Sequence, residues 1–289
     1  HIPGLFEPII GVDLLSKTEE LLLQQSNEEK IIIGLDTDLS MDVSTSGLAI
    51  KRGAQLAIDE INAQGGVLGK KLYLWVKDHK GLPTKSISNI QDFAKNPELL
   101  AILGGQHSPV IIGAMESIQK AAVPFLATWS SAAAVVENGY QPNFIFRLSA
   151  NDQLSAPYII DYALKKYQRP AIFLENSAWG RGNLERMKRR LEEKGLAFVQ
   201  IEAFNRGDTD FPLRLNRISN ANADVIILIA KPIEAQLLFN QMAQQQTPLP
   251  VISHWGIVGG DFWEKSRSAL QKVDLRFFQT FSFLTKLNP

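Results

Sequence analysis

From Lys30 onward the chain alternates short apolar runs with amphipathic stretches, and this alternation limits the folds open to it. Ile31-Ile32-Ile33-Gly34 is a brief, unpatterned apolar run, the signature of a parallel strand buried on both faces. Gly47 to Ala63 carries Ala54, Ala57, Ile58 and Ile61 at helical spacing and stops at Gly65-Gly66. Leu72, Leu74 and Val76 alternate as a strand. Thr84 is placed to cap a helix bearing Ile87, Ile90 and Phe93, closed before Pro97. Leu99 to Leu103 reads as a strand, Ser108 to Ala121 as a helix, Val123 to Ala127 as a strand, and the residues around Phe144-Ile145-Phe146-Arg147 as another.

A second series follows. Asn151 or Asp152 starts a helix through Tyr167, then come a strand at Pro170 to Leu174 and a charged helix at Gly182 to Lys194, ended by Gly195. Ala197 to Ile201 is expected as a strand and Asp210 to Ser219 as a helix. Val225 to Ala230 is a buried strand, and Pro232 to Gln245 a helix with proline in its first turn. Pro250 to Ser253, Gly260 to Leu270 and Phe277 to Phe283 are expected as strand, helix and strand. Two such series imply an α/β protein with two parallel sheets, each flanked by helices. The boundary is expected near Leu148 to Asn151, with a cleft between the domains as the natural ligand site. Residues 1–30, with Ile9, Ile10, Val12, Leu14 and Leu15 among acids and glutamines, read as an amphipathic helical extension.

Two turns at strand ends stand out within the first series. Gly104-Gly105-Gln106-His107-Ser108-Pro109 leads into a helix, and Ala127-Thr128-Trp129-Ser130-Ser131 follows the next strand. Helix N-termini offer orphan N–H donors and a partial positive charge. In open α/β sheets ligands sit at the carboxyl ends of strands. These two turns are therefore candidates to hold a carboxylate or similar anion.

Other chemistries find little support. The 289 residues hold 30 Lys plus Arg against 30 Asp plus Glu, and no basic cluster with interleaved aromatics, so nothing points to nucleic acid. Arg186, Lys188, Arg189 and Arg190 are answered by Glu185, Glu192 and Glu193 as a solvated helix face. The absence of cysteine excludes disulfides, thiolate metal sites and a cysteine nucleophile. No apolar run approaches the ~20 residues of a membrane helix. The chain starts at His1 and lacks a charged segment followed by an apolar one, so any signal peptide or anchor is expected to lie outside it. His1, His79, His107 and His254 form no metal or catalytic spacing. Gly65-Gly66-Val67-Leu68-Gly69-Lys70-Lys71 lacks the phosphate-loop pattern and reads as a helix stop plus a turn. Gly180-Arg181-Gly182 is not a dinucleotide fingerprint. Asp36, Asp38 and Asp42 lack cation-loop spacing and read as a solvated loop between Asp36 and Ser46. Binding, without a metal or cofactor, is expected over catalysis.

The stretch Gly53 to Leu72, GAQLAIDEINAQGGVLGKKL, closely resembles the signature of type I periplasmic solute-binding proteins of the leucine/isoleucine/valine-binding, receptor-family-ligand-binding group. Ile102 to Ser108, Val123-Pro124-Phe125-Leu126, Phe146-Arg147 with Asn151-Asp152, Trp179-Gly180-Arg181-Gly182 and Gly207 to Phe211 fit it in order, over about residues 31–283. The resemblance implies two Rossmann-like lobes (periplasmic binding protein type I) closing on a small ligand: lobe 1 at 31–148, lobe 2 at 149–276, and 277–289 as a crossover strand back toward lobe 1. It implies an apparent truncation of the C-terminal part that completes lobe 1. It makes Ser108 the serine that binds the ligand carboxylate and places Trp129, Ser130 and Ser131 at the second carboxylate-binding turn.

In the second lobe, Trp179 matches the aromatic that covers the ligand. Lys231 falls where amino-acid binders carry an uncharged residue, and Trp255 where they place an acid for the ammonium. An ammonium left unpaired in a buried site is costly. The expected ligand is therefore a carboxylate with an apolar or aromatic body, an aromatic or dicarboxylic acid in preference to a free amino acid. The implied role is an extracytoplasmic, periplasmic component that delivers this ligand to the membrane permease of an ABC transporter. The alternative is the ligand-sensing ectodomain of a membrane-anchored signalling protein, with residues 1–30 as stalk.

Overall fold

Five strands, all parallel, make the first sheet: β1 (Lys30–Thr37), β2 (Lys71–Asp78), β3 (Leu99–Gly104), β4 (Phe125–Ala127) and β5 (Ile145–Arg147). Their spatial order is β2-β1-β3-β4-β5, so the winding direction reverses between β1 and β3. Helices α1 (Ser44–Ala63), α2 (Pro83–Phe93) and α3 (Ser108–Ala121) make the connections. Against one face Leu35, Leu72, Leu74 and Val76 pack on Ile58 of α1. Within the same sheet region Trp75 meets Phe93 of α2 edge-on, at 5.0 Å between ring centroids. Gly34 fits this packing because a Cβ there would lie 3.2 Å from the Phe93 ring.

The coordinates are a computed structural model that describes residues 29–39 and 44–280. The helix expected in 1–30, Asp42, and the part of the last strand beyond 280 lie outside the described residues, apart from Glu29 and Lys30. The chain separates into two compact units. One comprises His1–Ser130 with Val135–Ser149, the other Ser131–Ala134 with Ala150–Pro289. Among the described residues no helix is long and apolar enough to cross a membrane.

Several expectations for the first unit change. The polar loop expected from Asp36 is still strand, since β1 runs through Thr37. Asp36 and Asp38 are buried rather than solvated. Asp36 is accommodated because Ser86 Oγ and Asn89 Nδ2 of α2 donate to its two oxygens at 2.5 and 2.7 Å. Thr84 does not cap α2: the cap position is Leu82, without a side-chain bond, and Pro83 supplies the preset first turn. Gly65 and Gly66 take positive φ after α1, and Val67 and Lys70 pair as a small antiparallel bridge, which makes this segment a helix stop and turn.

Burial raises the Asp36 carboxyl above its ordinary range, against the opposing charge of His79 and the bonds from Ser86 and Asn89. The folded state therefore keeps a proton that the unfolded state releases, and stability falls as pH rises through that window. Asp36→Asn removes the titration. The stability difference between this variant and the wild type should shift in the variant's favour as pH rises from about 4 toward 7. Thermal melts at several pH values check this, and a difference constant with pH would contradict it.

The second sheet repeats the first. It contains β6 (Pro170–Glu175), β7 (Ile201–Phe204), β8 (Val225–Ile229), β9 (Val251–Ser253) and β10 (Leu275–Phe277), all parallel, in the order β10-β9-β8-β6-β7. The reversal falls between β6 and β8. Helices α4 (Asp152–Ala163), α5 (Ala178–Glu192), α6 (Pro212–Asn220), α7 (Pro232–Met242) and α8 (Phe262–Ser266) flank it. Its core centres on Phe173, stacked on Phe204 at 5.4 Å and edge-on to Phe211 at 5.5 Å, with Leu228, Phe239 and Met242 in the same buried cluster.

Here too the boundaries move. The strand expected at Ala197 to Ile201 lies at Ile201–Phe204, where Ile201 pairs with Ile172 and only Glu202 and Phe204 turn inward. Helix α5 begins four residues earlier than expected, because Ser177 Oγ accepts from the Gly180 amide at 3.3 Å and caps it. The helix expected at Gly260 to Leu270 is the five-residue α8 followed by a 3-10 turn, Ala269–Gln271. The last strand, expected at 277–283 as the start of a crossover toward lobe 1, is Leu275–Phe277. It pairs in parallel register with β9 at the edge of the second sheet.

Candidate functional site

In each sheet the carboxyl ends of the strands beside the reversal carry buried polar side chains, the usual place for a ligand in such sheets. In the first unit β1 ends at Thr37 and β3 at Gly104, with Gly105 at φ +87 beginning the turn. Gln106 Oε1 accepts from Thr37 Oγ1 at 3.2 Å and from the Asp38 amide at 3.1 Å. His107 Nε2 meets Asp38 Oδ2 at 3.1 Å with both side chains buried. An ionised carboxylate only accepts, so Nε2 carries the proton. The two loops are thus tied together at the point of reversal.

Ser108 is buried and is the first residue of the 14-residue α3, with His107 at the cap position. Its hydroxyl therefore sits at the positive end of a helix dipole. Trp129 is half-buried after β4. The Ser130 hydroxyl donates to the Gly105 carbonyl, as does its amide at 2.8 Å. The one hydroxyl proton of Ser130 thus fastens the β4 turn to the β3 turn. The Ser130 carbonyl accepts from Ser149 Oγ and from Arg147 Nη1. The histidines, remote in sequence, partly converge: His79 and His107 lie 5.9 Å apart, and the buried His79 Nε2 has no hydrogen-bond partner.

In the second unit three expected site residues gather around one buried carboxylate. Asp152 opens α4 and receives His254 Nε2 at 2.9 Å, Asn183 Nδ2 at 2.7 Å, Ser155 Oγ at 3.2 Å and the Ser131 hydroxyl. Burial alone would push its carboxyl up. The His254, Asn183 and Ser131 bonds outweigh that and hold it below the usual carboxylate range. His254 Nδ1 accepts from the Gly256 amide at 3.3 Å, consistent with the proton on Nε2. Trp179, in the first turn of α5, meets the His254 ring edge-on at 5.3 Å, and the Trp255 ring lies 5.9 Å from it. Both indoles are buried. Gly256 is required here, because a Cβ would come within 2.5 Å of the Trp179 ring.

Lys231 has different company. It holds the cap position of α7, and its Nζ lies 3.7 Å from Glu175 Oε1, at the end of β6. The cation expected at Lys231 is thus accompanied by an acid across the reversal between β6 and β8. Glu175 had no motif to mark it. Asp38, His107 and His254 were equally silent in the sequence as site-forming groups, because each is defined by a partner 69 or 102 residues away. Their one signal was position, since each lies just beyond the end of a strand. Among the described residues no group of three His, Asp or Glu side chains could hold a metal ion.

A family model described as periplasmic binding protein matches residues 30–274. The Leu/Ile/Val-binding protein BraC3 of Rhizobium johnstonii is 28% identical over 235 residues, covering 81% of this chain and 63% of the relative. The chain thus spans somewhat less than two thirds of the curated relatives it matches. Among solved structures, the branched-chain amino acid transporter substrate-binding protein LivJ of Streptococcus pneumoniae, in complex with isoleucine, has a TM-score of 0.80 at 24% identity, over 90% of this chain and 73% of that one. A solute-binding protein of an ABC transporter from Rhodopseudomonas palustris BisB5, in complex with 3,4-dihydroxybenzoic acid, has a TM-score of 0.70 at 22% identity, over 80% and 63%. These likenesses show that the fold is that of a type I periplasmic binding protein.

Proposed function

Because the chain belongs to the periplasmic binding protein family, we propose that it captures a small carboxylate outside the cytoplasm and passes it unchanged to the permease of an ABC importer. The observation that carries this reading is Ser108: a buried hydroxyl on the first turn of a long helix, at the reversal point of a parallel sheet. Charge-assisted bonds from such a hydroxyl and from helix-terminal amides are the strong ones available to an anion. In this reading Trp129 and the main chain of Ser130 border the carboxylate in the first unit, and Ser131, expected with them in lobe 1 (31–148), belongs to the second unit. The hydroxyl protons of Ser130 and Ser131 are already used on Gly105 and Asp152, so in this arrangement neither hydroxyl donates to the carboxylate. In the second unit, lobe 2 (149–276), Trp179 and Trp255, with Lys231 and Glu175, are the candidate ligand contacts.

Relatives bind both kinds of acid: LivJ holds isoleucine, and the Rhodopseudomonas protein 3,4-dihydroxybenzoic acid. Two buried tryptophans and the absence of an acid at position 255 favour the aromatic class here. A thermal-shift screen tests this, because a ligand that binds only the native state raises the melting temperature. Aromatic acids should give the largest shifts. If leucine, isoleucine or valine gave the largest and aromatic acids none, this choice of ligand class would be wrong.

A further inference from the structure

Glu175 is the last residue of β6 and is only 3% exposed. One oxygen, Oε1, faces Lys231 Nζ at 3.7 Å, beyond ordinary hydrogen-bond distance. The other, Oε2, is buried without any hydrogen-bond donor. A carboxylate oxygen removed from water and left unpaired is costly, and such exceptions call for an explanation. This one stands at the reversal point of the second sheet, between β6 and β8, where a ligand is expected in a sheet of this order.

We infer that Glu175 Oε2 is the acceptor for a hydroxyl on the body of the bound acid, which makes Glu175 the residue that selects hydroxylated carboxylates. Charge decides between a hydroxyl and an ammonium as the donor. Glu175 and Lys231 together are neutral. An ammonium on Oε2 would bring a second cation close to Lys231 Nζ, whereas a hydroxyl adds none. A second carboxylate on the ligand would meet Glu175 itself, so the dicarboxylic acids expected from Lys231 alone are disfavoured. Lys231 is the more exposed partner, 15% against 4% for the side chains, and its flexible stem lets it swing aside as the hydroxyl enters. This inference rests on the carboxylate-binding reading above.

The test is calorimetric titration of the protein with acids matched in pairs: benzoate against 4-hydroxybenzoate, and phenylacetate against 4-hydroxyphenylacetate. A buried acceptor discriminates strongly against an analogue that leaves it unpaired. The hydroxylated member of at least one pair should bind about tenfold to a hundredfold more tightly. 4-(Aminomethyl)benzoate, which carries an ammonium at the same end, should bind more weakly than 4-hydroxybenzoate. In Glu175→Leu, which offers neither an acceptor nor a donor at that position, the ratio of affinities within each pair should fall to less than about threefold. If that variant does not fold, the wild-type pairs alone decide. Bare acids binding as well as hydroxylated ones, or the aminomethyl compound binding best, would overturn the inference and leave carboxylate capture standing. Failure of every acid to bind would overturn both.

Discussion

Asp152→Ala is expected to destabilise the second unit by about 3–5 kcal/mol, the usual effect of removing one partner from a buried ionic network. The variant strands His254 Nε2, Asn183 Nδ2 and the Ser131 hydroxyl as buried donors, each of which now points at this carboxylate. Asp152→Asn should do almost as much damage despite its shape. All the partners are donors, so the amide NH2 must face at least one of them. Hydrogen exchange measured by mass spectrometry resolves the two units, and protection should fall in β8 while β1 is unaffected. The folded Asp152 carboxyl lies below its unfolded value. Its contribution is therefore fully present above the unfolded value and is lost as pH falls through the folded one. The variant's acid unfolding should accordingly be shallower than the wild type's. Equal protection in wild type and Asp152→Ala would remove this carboxylate as the organiser of Trp179, Trp255 and Ser131.

The counterpart in the first unit is Asp38→Ala, with an expected loss of about 2–3 kcal/mol. Asp38 is fully buried and receives the His107 Nε2 proton at 3.1 Å, while its amide reaches Gln106. The substitution should lower exchange protection in β1 and β3 and leave β8 unchanged. Because His107 immediately precedes Ser108, loosening it should also weaken carboxylate binding beyond what the stability loss explains. Loss of protection in both units alike would contradict the separate placement of these two carboxylates.

The fold was legible in the sequence because it rests on local signals. The helix at Ser108–Ala121 matches its sequence reading at both ends, and the runs Val225 to Ala230 and Pro170 to Leu174 read as buried strands and differ from the observed ones by one residue each. Errors came where a local rule met a distant partner. Asp36 and Asp38 look like loop residues until Ser86, Asn89 and His107 are in place. Ile201–Phe204 yields to pairing with β6, which the residues of 197–204 do not encode by themselves. The site followed the same division. Ser108, Trp179 and Trp255 are candidates through a motif or an aligned position. The Glu175 partner of Lys231 and the Asp152–His254 pair are not marked in this way, since each joins residues 56 or 102 apart in the chain.

The carboxylate claim is tested most directly by calorimetric titration of wild type and Ser108→Ala with benzoate, phenylacetate and 4-methylpentanoate, each beside its neutral amide. The acids that bind should do so far more tightly than their amides. Ser108→Ala should weaken them by about 1–3 kcal/mol, the value of a hydrogen bond to a charged group. Amides that bind as well as the acids, or an alanine variant that binds them undiminished, would contradict the account.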